Sequence, residues 1–326
     1  MRQKIALIVG IGHSGSTILD MALGCHPDIV GLGEVSKVLR TPLDEFGRKY
    51  DRGRCSCGAA SRGCEFWSDY LDWLEKHPDL AVQEKYAQLI PRFQSHYGAN
   101  TILLDSSKTV RPFMAYLHKH HDVRVIFLVR DVRSWIHSRH THEGHGILRL
   151  ALRWWRGNRR AERFIERYNM QAMTLGYEEL AIYPREMLAK ICDFLGVEFR
   201  GEMLRPAATQ SHIIRGNTAR MDKEKISEIR YDARWMTSNR LMLRAFFFWP
   251  MLAANRRWVY SSFITGNTRA FGKSQDEFLL FGNARKERLM KSLRKNSAEK
   301  PDDSNFRHMR QDCLDDSQLP GRQSRD

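Results

Sequence analysis

The segment IALIVGIGHSGSTILDMAL, residues 5–23, holds the residues best spaced for chemistry. Gly10, Gly15 and Thr17 occupy the glycine and hydroxyl positions of the phosphate-loop pattern G-x-x-x-x-G-K-[ST], and Ser16 stands where that pattern has lysine. A strand, a glycine-rich turn and a helix start aim free backbone N–H groups at an anion, and the positive helix end adds to the attraction. That geometry works without lysine, so the segment predicts an anion site. The plainer alternative is a tight turn with helix-capping serines. A second cluster, CSCGAASRGCEFW, crowds Cys55, Cys57 and Cys64 together. Zinc would need a fourth ligand, and C-x-C differs from the usual C-x-x-C knuckle. The segment therefore reads as a loop braced by thiols or one disulfide rather than as a metal site, which stays the lesser alternative.

These residues need elements to position them. The first 200 residues alternate short apolar runs with helical patterns, which predicts an α/β chain built from βαβ units around a central parallel sheet. Strands are expected at 5–9, 101–105 and 123–129, continuous apolar runs suited to burial on both faces, with a weaker one at 172–177. Helices are expected at about 17–24, 112–120, 132–140, 147–168 and 184–195. A single domain is expected over residues 1–296. The polar run from Ser297 to Asp326 lacks the apolar residues to order itself and predicts a disordered charged tail.

The chain has 326 residues, 42% of them apolar, and a formal net charge of +15. A positive surface draws in nucleic acid, anionic lipid or small acidic ligands. Nucleic acid is disfavoured as a partner, because the charge is spread along the chain and matches no motif with a docking geometry. There is no 18-residue apolar stretch and no cleavable-signal layout, so the expected location is the cytoplasm. The segment 241–260 sets apolar residues beside arginines and is broken by Pro250. It predicts a packing helix, with peripheral membrane contact as the alternative. The helix at 147–168 carries Arg149, Arg153, Arg156, Arg159, Arg160, Arg163 and Arg167, read as a solvated basic face or an attractor of an acidic acceptor.

Three ordered segments together resemble the sulfotransferases that use 3′-phosphoadenosine-5′-phosphosulfate (PAPS), over roughly residues 4–220. GHSGST resembles that family's 5′-phosphosulfate loop, which implies that His13, Ser14, Gly15, Ser16 and Thr17 bind the co-substrate. VIFLVRDVRSWIHSRH resembles its 3′-phosphate segment, which implies the same for Arg130 and Ser138. LGYEELAIYPREMLAKICDFLGVEF resembles its Tyr-Glu-x-Leu strand end and the helix after it. Arg215 and Gly216, in QSHIIRGNTAR, match a further family segment in part and are expected to close over the 3′-phosphate.

The stretch HSGSTILDMALGCHPDIVGLGEV resembles the tyrosylprotein and bacterial carbohydrate-type members, with His26, Pro27 and Asp28 followed by Glu34 at the position of the base. LLDSSKTVRPF resembles their next segment and implies that Lys108 supplies a cation to the reacting sulfate. The resemblance implies a P-loop-like three-layer fold and sulfuryl transfer from PAPS to a hydroxyl of a carbohydrate, glycolipid or small metabolite. Oligomeric state is left open.

Sulfuryl transfer spreads charge over the sulfonate oxygens and the leaving oxygen, so positioning and electrostatic stabilisation should dominate it. Sulfate carries less charge than a terminal phosphate, so no metal is required and the missing loop lysine is accounted for. The expected catalytic residues are Glu34 as general base, with Lys108 and His13 as cations for the leaving oxygen. His13 stands where relatives place arginine or lysine, and histidine is only partly protonated near neutral pH. Plainer roles also exist: Glu34 at a helix N-terminus, Lys108 as a surface lysine, His13 as a neutral hydrogen-bonder. The competing enzyme class is a degenerate P-loop kinase or NTPase with Asp105 as the magnesium carrier, and Ser16 in the lysine position speaks against it.

Overall fold

The computed structural model describes residues 2–40, 53–222, 224–237 and 249–260. In chain order the elements are β1 (Lys4–Gly10), α1 (Ser16–Leu23), β2 (Ile29–Gly31), α2 (Val35–Arg40), α3 (Ser68–Lys76), α4 (Val82–Tyr97), β3 (Ile102–Lys108), α5 (Pro112–His120) and β4 (Asp122–Val129). They continue with α6 (Val132–Glu143), α7 (Ile147–Arg167), β5 (Gln171–Gly176), α8 (Tyr177–Ile182), α9 (Pro184–Leu195) and α10 (Trp249–Val259). The chain divides into compact units Met1–Gly266 and Asn267–Asp326. The second unit, the expected tail and the boundary at 296/297 lie outside the described residues.

Strand order is β2-β3-β1-β4-β5, with every pairing parallel. Strand side chains alternate between faces, so the continuous apolar run of β1 splits in two. Ile5, Leu7 and Val9 join a core with Tyr86, Leu89, Leu117, Trp135, Leu150 and Trp154. Ala6 and Ile8 join the opposite core with Leu19, Leu23, Leu180, Leu188 and Ile191. The three-layer α/β fold follows, with α4, α5, α6 and α7 on one face of the sheet and α1, α8 and α9 on the other. Gly10 is required where β1 and β4 close up, since a Cβ there would stand 2.3 Å from the Leu128 carbonyl oxygen.

All four expected strands form, and the five expected helices form with boundaries shifted by up to three residues. The strand expected at 172–177 ends one residue early, because Tyr177 opens α8. β2 was not predicted: at three residues it is too short to show a period. α7 buries Leu150, Ala151, Trp154, Asn158 and Ala161. Arg149, Arg153, Arg156, Arg160, Arg163 and Arg167 stand exposed on its other side, and Arg159 pairs with Glu162. α10 is a packing helix: Trp258 and Val259 are buried, and the Asn255 side chain accepts from the Val132 N–H and donates to Asp131. Residues 241–248 of that segment lie outside the described residues. Among the described residues, no helix is long and apolar enough to cross a membrane.

Candidate active site

From β1 the chain leaves toward β2, and from β4 it leaves in the opposite direction toward β5. An open parallel sheet offers a binding crevice at the carboxyl ends of two such strands. There, a cleft of about 900 Å³ is lined by His13, Gly15, Ser16, Thr17, Lys108, Arg130, Ser138, Arg215 and Gly216. These are all the expected site residues except the buried Ser14 and Glu34. Among the described residues, seven lysine and arginine side chains line the cleft against one carboxylate, Asp222.

The loop after β1 turns sharply into a helix start with no side-chain cap. His13 and Gly15 take φ of 71° and 90°, which turn the backbone sharply into α1. Gly15 is the N-cap and no side chain caps it, so the serine-capped alternative does not form and the first-turn N–H groups are left for a ligand. The loop carbonyls are already engaged: Trp135 Nε1 donates to Gly12 O at 2.7 Å, and Arg130 Nη1 donates to His13 O at 3.0 Å. Ser14 Oγ is buried with no hydrogen-bond partner among the described residues. A Cβ on Gly15 would sit 2.2 Å from the Tyr177 ring, so the opening residue of α8 floors the loop.

Arg130 follows β4 directly and is held on three sides. Its Nε donates to Ser134 Oγ at 2.9 Å, its Nη2 pairs with Asp232 Oδ2 at 2.5 Å, and its guanidinium lies 5.3 Å over the Tyr177 ring. Asp131 caps α6 by accepting from Arg133 N at 2.8 Å. Ser134 and Ser138 then fall one turn apart on the same face of α6, which carries Ser138 to the cleft beside Arg130.

Lys108 ends β3 beyond a register shift opposite Leu7–Val9 and has φ of 66°. A lysine in the left-handed region is held there by its surroundings. Its Nζ donates to Glu34 Oε1 at 2.8 Å, and Lys37 Nζ pairs with Glu34 Oε2 at 2.5 Å. Burial pushes the Glu34 carboxyl up, but the two ammonium groups outweigh it and hold the pKa below its usual value. Glu34 does precede α2, yet its side chain is engaged by lysines.

The segment 211–216 closes this side: His212 N donates to Gly31 O at 2.8 Å, and Glu34 N donates to Arg215 O at 2.9 Å. Gly216 comes close to Thr17, whose Oγ1 would lie 3.9 Å from a Cβ at that glycine. Arg220, not anticipated from sequence, is buried and donates to the carbonyls of Ile213, Ile214, Gly216 and Asn217 at 3.2–3.3 Å. Lys37 was also not anticipated, although its i,i+3 spacing from Glu34 was a signal that could have found it; Asp232 and Arg220 lie in stretches with no readable period or motif. His26 is remote from the cleft: its Nε2 lies 2.8 Å from Glu198 O, and its Nδ1 accepts from Asp28 N at 3.0 Å. It shapes the turn before β2.

Asp105 does not fit a magnesium carrier. It is fully buried, and its oxygens accept from Ser107 N at 2.7 Å, from Ser107 Oγ and from Tyr86 Oη at 3.1 Å. Burial raises its pKa to about 6.

Among solved structures, the chain is similar to the sulfotransferase domain of the Synechococcus PCC 7002 olefin synthase, with 19% identity over 78% of this chain and 96% of that one and a TM-score of 0.46. It is also similar to the sulfotransferase domain from the curacin biosynthetic pathway, with 18% identity over 76% and 98% and a TM-score of 0.44. A third likeness is sulfotransferase STF1 from Mycobacterium tuberculosis H37Rv, with 19% identity over 70% and 77% and a TM-score of 0.38. No curated protein matches. The model of the sulfotransferase family matches residues 6–201, more than half of the chain, and the protein belongs to that family.

Proposed function

We propose that this sulfotransferase takes its sulfuryl group from PAPS and delivers it to a hydroxyl of a carbohydrate, glycolipid or other small metabolite, in the manner of the tyrosylprotein and bacterial carbohydrate-type members. The observation that carries the reading is convergence: the β1 loop, Arg130 with Ser138 after β4, and Lys108 at the end of β3 meet at one cationic cleft, where Glu34, from the turn after β2, pairs with Lys108. The residues fit a polyanionic nucleotide, since cations outnumber carboxylates along the cleft and the buried Ser14 hydroxyl lacks a partner among the described residues. When bound, PAPS supplies an activated sulfonate with a phosphate leaving group.

Ser14, Gly15, Ser16 and Thr17 hold the 5′ side of the nucleotide through hydroxyls and first-turn N–H groups. Arg130, Ser138, Arg215 and Gly216 hold the 3′-phosphate. Lys108 and His13 place positive charge where the leaving oxygen gains negative charge. Glu34, kept ionised by its lysines, takes the acceptor hydroxyl's proton on a carboxylate oxygen as Lys108 turns toward the sulfonate. We place the protein in the cytoplasm and read the exposed arginines of α7 as an attractor for an acidic or lipid-linked acceptor.

Asp232 competes with the nucleotide for Arg130. Its carboxylate is also held by Arg234 at 2.7 and 2.8 Å, and these contacts keep its pKa far below the usual range. Asp232→Asn should tighten 3′,5′-adenosine bisphosphate binding by about two- to fivefold, as expected on freeing Arg130 from a partly buried ion pair. Weaker binding in the variant would instead make Asp232 the residue that orients Arg130. The reading as a whole is tested by incubating the protein with PAPS and a panel of hydroxyl-bearing carbohydrates, glycolipids and metabolites. Sulfated product should form with at least one acceptor in the absence of magnesium; no sulfated product from PAPS, with phosphorylated product formed from ATP and magnesium, would refute it.

A further inference from the structure

The cysteine-rich loop has a fourth donor that sequence order hides. Cys55 and Cys64 Sγ lie 3.6 Å apart, and Cys57 and Cys64 Sγ lie 4.0 Å apart. His212 Nδ1 stands 3.2 Å from Cys64 Sγ and 3.9 Å from Cys55 Sγ. All four donor atoms fall within 4.8 Å of one another. A regular tetrahedron with zinc–sulfur bonds of about 2.3 Å and a zinc–nitrogen bond of about 2.0 Å has donor–donor edges of roughly 3.5–3.8 Å. We propose that Cys55, Cys57, Cys64 and His212 form a structural Cys3His zinc site that clamps the loop at 53–64 onto the segment 211–216.

This replaces the expectation of a thiol- or disulfide-braced loop without metal. The three cysteines are free, and a Cys55–Cys64 disulfide would leave the buried His212 imidazole and the exposed Cys57 thiol unused beside it. Cys55 and Cys64 are fully buried and His212 nearly so. Zinc binds cysteine as thiolate. A metal-binding histidine characteristically turns its other nitrogen toward a carboxylate or carbonyl. Here His212 Nε2 stands 3.9 Å from Glu65 Oε1.

The clamp is pre-aligned by groups that are not ligands. Ser56 N donates to Ile213 O at 3.1 Å, Ile213 N donates to Ser56 Oγ at 2.9 Å, and Trp67 Nε1 donates to His212 O at 2.5 Å. Three thiolates and an imidazole select a soft, tetrahedral ion over magnesium or calcium. With four protein ligands no coordination position is open for substrate, so the metal's role is to hold structure. None of the four lines the cleft, whereas Gly53 and Arg215, on the two clamped segments, do. Zinc would thus fix the backbone that carries Arg215 without entering the reaction, and the inference is independent of which donor or acceptor the enzyme uses.

The test uses the untagged full-length protein, purified under reducing conditions without chelator. Elemental analysis should find zinc near one ion per chain, and exchange with Co²⁺ should give the visible absorption of a tetrahedral thiolate complex. Stripping the metal should lower Tm by about 10 °C or more. Cys64→Ser and His212→Ala should each lose the zinc; should they fail to fold, the wild-type metal content and cobalt spectrum decide the matter. Folded, reduced wild-type protein with less than about 0.2 zinc per chain that takes up none from buffered Zn²⁺ would overturn the proposal. So would a Cys55–Cys64 disulfide mapped in protein purified without added reductant.

Discussion

Glu34→Gln should lower turnover by about 100- to 10,000-fold while changing 3′,5′-adenosine bisphosphate affinity by no more than about twofold. The substitution preserves shape but removes the proton acceptor, and its amide oxygen can accept from only one of the two lysines. Lys108 and Lys37 hold the Glu34 carboxyl anionic in a buried position, so in the wild type it is present as the free base at neutral pH, and its proton affinity rises once Lys108 turns to the sulfonate. Glutamine leaves those two ammonium groups without a carboxylate, and this costs stability as well. A thermal melt of the variant therefore accompanies the kinetics, and the split between turnover and binding separates a base from a purely structural anion. Turnover within a few-fold of wild type would reduce Glu34 to an anchor for the two lysines.

Arg130→Ala should remove most of the preference for 3′,5′-adenosine bisphosphate over 5′-AMP, a loss of about ten- to a hundredfold from one charge-assisted phosphate contact. Arg130 also braces the loop through His13 O, so some loss of affinity for both nucleotides is expected. The discriminating quantity is the ratio of the two affinities measured by calorimetry. A ratio unchanged from wild type would move 3′-phosphate recognition elsewhere, with Arg215 the nearest alternative.

What sequence could reveal follows from how locally each feature is encoded. The loop at 10–17 was legible from its spacing, whereas Arg130, Ser138 and Lys108 were singled out by the resemblance of their segments to the family's, and the structure brings all of them to one cleft. The doubly buried strands were legible as continuous apolar runs. β2 was not, since three residues carry no period. Asp232 meets Arg130 across 102 residues, and His212 meets Cys64 across 148, in stretches with no local pattern to announce the contact. The cysteine loop shows only three donors on its own, and the fourth comes from a segment 148 residues later. Arg220 was missed because its partners are backbone carbonyls, which every residue type provides.

The most direct test of the central claim is calorimetry of the wild-type protein, without magnesium, against 3′,5′-adenosine bisphosphate, ATP and single-stranded DNA in parallel. A PAPS-dependent sulfotransferase with the site derived above should bind the bisphosphate at least about tenfold more tightly than ATP, consistent with a dedicated 3′-phosphate contact, and should bind the DNA only weakly. Magnesium-dependent ATP binding tighter than that of the bisphosphate would contradict the account and return the cleft to phosphoryl-transfer chemistry.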